Sequence, residues 1–165
     1  MNMSDPLVIR TVRPEEVETI TQIAVAAWEP IYAHAREVLG ERIFSLRSPN
    51  WQAEKARQVR NACHDDRMRV LVAEWDGEIA GFVTYCPRRT EQMAVIGNNA
   101  VHPDYQGRGI ATRMYERVLE DLRAEGVAFV MVTTGGDPAH APARRAYEKV
   151  GFDRALPSID YYMEL

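Results

Sequence analysis

Apolar residues along this chain recur with two different periods, and the points where one gives way to the other mark its elements. Leu7 to Val12 alternates weakly and stops before Pro14. Pro14, Glu15 and Glu16 suit the positive end of a starting helix, so a strand followed by a helix is expected. That helix should run to about Ile31, where Pro30 interrupts it. From Ala35 to about His64 the spacing is helical again, broken at Gly40 and restarted at Ser48-Pro49, which predicts two short helices. The period then drops to two: Val70 to Trp75, the pair Asp76-Gly77 and Glu78 to Cys86 read as a hairpin with a two-residue turn. After a loop at Pro87, Arg88 and Arg89, a strand is expected from about Met93 to Val101.

From Gly109 the positions Ala111, Met114, Tyr115, Val118, Leu119 and Leu122 form one helical stripe, with Gly126 placed for a left-handed C-cap. Ala128 to Thr134 has the apolar character of a strand buried on both faces. Ala143, Ala146, Tyr147 and Val150 make a second helical stripe stopped by Gly151, and Phe152 to Ala155 and Ile159 to Leu165 are expected as short closing strands. This order describes a mixed α/β sheet with helices on its faces. Without repeats or Gly/Ser linkers, residues 1–165 read as a single domain.

Composition narrows the function classes. The 165 residues are 46% hydrophobic and 27% charged, enough for one core that needs no metal or disulfide. Cys63 and Cys86 form no CxxC pair, so inert thiols in a reducing, cytoplasmic setting are expected. The longest apolar runs, Ala24 to Trp28 and Val127 to Val132, fall far short of the ~20 residues a membrane span requires, and the stretch up to Glu16 lacks the apolar centre of a leader. With 20 Lys+Arg against 24 Asp+Glu the net charge is -4, which argues against nucleic acid as partner and favours a cationic or neutral small substrate.

The segment from Val101 to Thr112 is a strand end, a glycine loop and a helix start in sequence. Such a junction leaves the first helical N–H groups unpaired at the positive end of the dipole, which suits an anion, and Gly107 and Gly109 let a phosphate approach the backbone. An ordinary strand-to-helix turn would look the same. The two common nucleotide loops fail here: Walker A needs Gly-Lys-Ser/Thr where Gly109-Ile110-Ala111 stands, and the dinucleotide fingerprint belongs after a first strand and needs a small residue in place of Thr112.

Gln106-Gly107-Arg108-Gly109-Ile110-Ala111 resembles the Gln/Arg-x-x-Gly-x-Gly/Ala signature of the GNAT superfamily of acyl-CoA-dependent N-acyltransferases, and Ala143 to Phe152 is similar to that family's closing Tyr-Glu-Lys…Gly-Phe motif. The likeness is sharp over residues 93–155. It implies the GNAT fold, a central mixed sheet whose fourth and fifth strands splay, and acetyl-CoA as cosubstrate with no metal. By the same likeness the backbone of Gln106, Gly107, Arg108, Gly109, Ile110, Ala111 and Thr112 would hold the pyrophosphate, with Arg108 adding charge. Asn99, Ala100 and Val101 would pair with the pantetheine arm, and the Val101 amide could stabilise the oxyanion at the thioester carbonyl. Tyr147 stands where the family has its general acid. Seven residues before it the family usually has an asparagine on pantetheine; His140 is there instead, and an imidazole N–H could make a similar bond, with Ala143 beside it. The histidines show no metal-ligand spacing.

The family's fourth-strand glutamate is missing, because Gln92 to Ala100 offers only Gln92, Asn98 and Asn99 as polar side chains. A water chain ordered by Asn98 and Asn99 could carry the proton away. Glu29, His34 or Asp160 could supply a base from elsewhere, or a partly neutral amine could need none. Trp28 and Tyr32 stand at i and i+4 beside Glu29, either as a cation-binding face for the substrate or as rings sealing the helix onto the sheet; Tyr161 and Tyr162 are equally open. The expected activity is therefore acetyl transfer from acetyl-CoA to a primary amine of a small molecule or peptide, by direct attack and without nucleic acid or membrane. The alternative is a CoA-binding regulatory or structural module without turnover. A homodimer is left open.

Overall fold

Asp76 and Gly77 adopt φ of 50° and 88°, the two left-handed positions a tight hairpin turn needs. They join β2 (Arg69–Trp75) to β3 (Glu78–Arg88) in the computed structural model, which describes residues 5–165. The first four residues, part of the N-terminal stretch read above as lacking a leader's centre, lie outside the described residues. β1 (Leu7–Thr11) pairs antiparallel with β2, and β3 with β4 (Met93–Val101); β4 then pairs parallel with β5 (Phe129–Val132). The result is a five-stranded mixed sheet in the order β1-β2-β3-β4-β5.

Both faces of the centre are covered, which is why Val70, Leu71, Val72 and Ala73 of β2 and the run from Ala80 to Tyr85 of β3 are buried. Leu71, Ala73, Val83 and Tyr85 meet Met114, Tyr115, Val118 and Leu122 of α3 (Ile110–Ala124), the predicted stripe. On the opposite face Val70, Val72, Phe82 and Ala100 meet Ile20, Ile23 and Ala24 of α1 (Val17–Arg47) and Val59 of α2 (Trp51–His64). Each large aliphatic buried there contributes roughly 1.5–3 kcal/mol. α4 (Ala141–Lys149) closes the molecule beside α3 and brings Tyr147 into the first core.

Four expectations are corrected. Pro30 does not end its helix: α1 runs through it, and the interruption falls at Gly40, whose φ of 76° and ψ of 159° no helix accommodates. Packing of Ile20, Ile23, Ala24 and Phe44 holds the segment despite the missing proline N–H. α2 starts at Trp51 with Asn50 as N-cap rather than at Ser48-Pro49. β5 is shorter than expected and only half-buried on one face, where Val130 and Val132 pack against the first core, while Phe129 and Met131 are 56% and 47% exposed. Asp153–Leu165 forms no strand; Leu156, Ile159 and Met163 stand in solvent.

Candidate active site

β4 and β5 are paired only from Met93↔Phe129 to Ile96↔Val132, after which β4 continues to Val101 with β3 on one side and no strand on the other. A bulge starts this parting. Thr84 alone faces Gly97 and Asn98, and a Cβ on Gly97 would stand 2.7 Å from the buried Thr84 Oγ1, so only glycine fits. The His102 amide donates to Ala80 O on β3, so the Val101 amide, one residue back, points the opposite way into the gap. The Val101 carbonyl accepts from Gln106 Nε2 at 3.1 Å. The gap opens into a cavity of about 730 Å³ walled by β4 from Val95 to Val101, the start of α3, α4 with Tyr147, and Trp28 of α1.

At one end of the cavity the chain turns through Gly107 and Gly109, both at φ 78° with no atom within 4 Å of a would-be Cβ. The first backbone bond of α3 is Arg113 N–H to Gly109 O, leaving the amides of Ile110, Ala111 and Thr112 free at the helix's positive end. Expected cofactor residues Asn99, Ala100, Val101, Gln106, Gly107, Gly109, Ile110, Ala111, Thr112, His140 and Ala143 all line the cavity. Arg108 does not: its guanidinium lies against the rings of Trp75 and Tyr105, 5.3 and 5.2 Å from their centroids. The turn's amides, rather than that side chain, face the cavity.

Tyr147 is 5% exposed and joins a polar network inside the core. Asn99 Nδ2 donates to Gly97 O at 3.0 Å and to the Tyr147 hydroxyl at 3.1 Å, while Tyr115 donates to Asn99 Oδ1 at 2.6 Å. Asn99 is thereby oriented from three sides, and the Tyr147 hydroxyl, which accepts from Nδ2 and makes a longer contact of 3.4 Å as donor to Asn99 Oδ1, stands on the cavity wall. Burial pushes the Tyr147 phenol up, and the bonds from Asn99 and Tyr115 pull it partly back. Burial also raises Tyr115, beyond the range in which it could ionise.

The aromatic end differs from expectation. Trp28 lines the cavity, but Lys55 Nζ already lies 3.5 Å from its ring centroid. Tyr32 is stacked on Trp51 at 4.2 Å and stands edge-on to Phe44, so it seals α1 against α2. Glu29 is exposed, and neither it, Tyr32, His34, Asp160, Tyr161 nor Tyr162 lines the cavity. The cation-binding face for substrate is thus filled from within. Lys55 is 4% exposed and donates to Gln58 Oε1 at 2.9 Å and Asn98 Oδ1 at 3.1 Å; burial lowers its pKa to about 8. Sequence reasoning passed over it, although Trp51, Lys55 and Val59 share one face of α2 at i, i+4 and i+8, where a lysine is out of place.

His140 reaches the cavity, its ring edge-on to Trp28 with centroids 6.0 Å apart. Its Nδ1 lies 2.6 Å from Asp137 Oδ2. Burial works to raise the Asp137 carboxyl, but the bond and charge of His140 outweigh it and hold the pKa below the usual value. Among the described residues no Asp or Glu lines the cavity and no cluster of three metal-ligating side chains occurs.

The model of the acetyltransferase (GNAT) family matches residues 23–152. Over 69 residues the chain is 35% identical to the [Ribosomal protein bS18]-alanine N-acetyltransferase of Escherichia coli (strain K12), a stretch covering 42% of this chain and 45% of that protein, so it spans less than half of that curated relative. Among solved structures, the ribosomal-protein-S18-alanine N-acetyltransferase from Escherichia coli superposes with a TM-score of 0.66 at 19% identity, over 91% of this chain and 79% of that one. AAC(6')-Iy in complex with the bisubstrate analogue CoA-S-monomethyl-acetylneamine gives 0.66 at 15% identity, over 96% and 99%. Those likenesses show the shared fold.

Proposed function

The chain belongs to the acetyltransferase (GNAT) family, and from that premise we propose that its 165 residues act as one domain moving an acetyl group from acetyl-CoA to a primary amine by direct attack in a ternary complex. One observation carries this reading: the parting of β4 from β5 sets an unpaired strand edge, a glycine turn with free helical amides and the Tyr147 hydroxyl around a single cavity. The residues present fit a CoA thioester, a phosphorylated head with an amide-bearing arm, better than they fit a compact ligand. When bound, it supplies an activated acetyl group and a thiolate leaving group.

The amides from Gly107 to Thr112 hold the phosphates at the α3 N-terminus. The free edge of Asn99, Ala100 and Val101 satisfies the amides of the arm as an added strand would. The Val101 N–H, aimed into the gap, donates to the thioester carbonyl oxygen where negative charge develops. Tyr147, its oxygen held by Asn99, gives its proton to the departing sulfur. Ala143, on the wall, bounds the arm.

The acceptor end supports a restricted class of amine. Its wall has Lys55 behind Trp28 and Asn98, Arg145, and among the described residues no carboxylate. An acceptor with one amine and no further positive charge fits this better than a polycation does. A peptide N-terminus, like the alanine that the bS18 relative is named for, or a small neutral amine meets the requirement. A cytoplasmic setting is part of this proposal, and the unbridged Cys63 and Cys86 support a reducing compartment. Release of CoA thiol is measured with a panel of peptides and monoamines. Turnover with at least one supports transfer; a thermal shift with acetyl-CoA but no turnover with any would instead support a CoA-binding module.

A further inference from the structure

We propose that His140, oriented by Asp137, is the general base that takes a proton from the incoming ammonium group, a role that rests on the acetyl-transfer reading above. A carboxylate only accepts, so the 2.6 Å contact to Asp137 Oδ2 places the hydrogen on Nδ1 and leaves the lone pair of the neutral ring on Nε2. In that arrangement the imidazole offers a proton acceptor rather than the N–H a pantetheine carbonyl would need, on a residue that lines the cavity. Asp137 is held rigidly for this: its Oδ1 accepts from the amides of Ala139 at 2.9 Å and His140 at 3.2 Å. Arg144 Nη1 donates to Asp137 O at 2.7 Å, which pins the loop.

The His140 side chain is 16% exposed, enough for a proton to leave and too little for a freely solvated ring. Charged groups about it are Asp137 on its own turn, Arg144 on α4, Arg145 on the wall of the same cavity, and Lys55 beyond Trp28 on the α1–α2 side. The side chains that could replace it, Glu29, His34 and Asp160, stand away from the cavity.

The step balances as follows. Nε2 takes one proton from the ammonium group; in an alkylamine a pKa of ~10.4 leaves little free amine at neutrality, and in a peptide N-terminus a pKa of ~7.7–8.0 still leaves the greater part protonated. The nitrogen lone pair forms the C–N bond at the thioester carbonyl carbon, the C–S bond breaks, and the sulfur leaves with its electron pair and takes the Tyr147 proton. The second nitrogen proton departs as the amide forms and, through solvent, restores Tyr147. His140 returns its proton to solvent, so one proton is released for each CoA thiol formed.

His140→Gln preserves size and polarity without a basic nitrogen. With an alkylamine acceptor its kcat/KM should fall by ~10²–10⁴ at pH 7, and the deficit should shrink about tenfold per pH unit towards the amine's pKa of ~10.4, because neutral amine needs no base. The thermal shift given by acetyl-CoA should persist. Asp137→Asn keeps the backbone cap and removes the charge. In this variant the NMR titration midpoint of the His140 ring, its signal identified by absence in His140→Gln, should move together with the inflection in kcat/KM. A deficit of the same size at every pH, a lost acetyl-CoA shift with kcat retained, or a kinetic inflection that stays put while the NMR midpoint moves would overturn the assignment. Failure of the wild type to bind acetyl-CoA or to turn over any amine would overturn the acetyl-transfer reading itself, and the base with it.

Discussion

Tyr147→Phe separates chemistry from packing. The phenylalanine keeps the ring that lies 4.8 Å from Tyr115 and 5.7 Å from Phe152, and removes only the hydroxyl. Asn99 Nδ2 loses the acceptor of one of its two N–H groups and keeps Gly97 O at 3.0 Å for the other; Asn99 lines the cavity, where solvent can take up the freed donor. The structural cost is then about 1 kcal/mol, or a Tm lower by about 2–4 °C for a chain of this size. Loss of the proton donor should lower kcat by ~10²–10⁴, which is about 2.7–5.4 kcal/mol at 1.36 kcal/mol per decade. The catalytic effect exceeds the structural one several-fold, so the two cannot be confused. CoA thiol release at saturating amine, with the acetyl-CoA thermal shift as binding control, reads both. A kcat within threefold of wild type, with binding intact, would return Tyr147 to a core-packing role.

Gly109→Val should abolish the acetyl-CoA thermal shift, because φ 78° is strained for a β-branched residue and its side chain would stand where the phosphates approach. The wild type should gain about 2.7 kcal/mol at a hundredfold excess over Kd, and an equal gain in the variant would refute the turn as the phosphate site. Lys55 binds its proton less tightly when folded, with a pKa of about 8 against 10.5 for the free side chain. Between those values the unfolded chain holds more protons, so this residue makes stability rise with pH across that window and lowers it below about 8. Urea titrations at several pH values should show Lys55→Met without that rise; identical pH dependence in both proteins would refute the buried-cation account. Asn99→Leu, which removes the donor to the Tyr147 oxygen, should raise the pH at which Tyr147 ionises by tyrosine-ring NMR and lower kcat with little change in acetyl-CoA binding. An unmoved ionisation would show that Asn99 does not tune the phenol. A polyamine should be a poorer acceptor than a peptide N-terminus of equal concentration, and the reverse order of kcat/KM would contradict the cavity's charge.

Periodicity and turn chemistry are local, and what they dictate was legible along the chain. Asp76-Gly77 determines a hairpin because few other pairs tolerate two positive φ values, and the Ala111-to-Leu122 stripe determines which side of α3 meets the sheet. The glycine turn could be read from residue type and spacing as a place an anion can approach, since that depends on a missing Cβ, whereas Tyr147 read as one more ring of an apolar stripe until the resemblance to the GNAT family singled out its hydroxyl. Pro30 shows the limit of such reading: its cost is local, but the packing that overrides it comes from residues of a sheet formed later in the chain. The ends of the molecule show it again, because whether the apolar positions of Phe129, Met131 and Ile159 are buried depends on what lies across from them. Only the tertiary structure brings Lys55 of α2 onto Trp28 of α1 and Asn98 of β4, turning an aromatic face that looked ready for a substrate cation into one already filled. It likewise sets His140 against Asp137, because which carboxylate a ring nitrogen meets depends on where the loop places it.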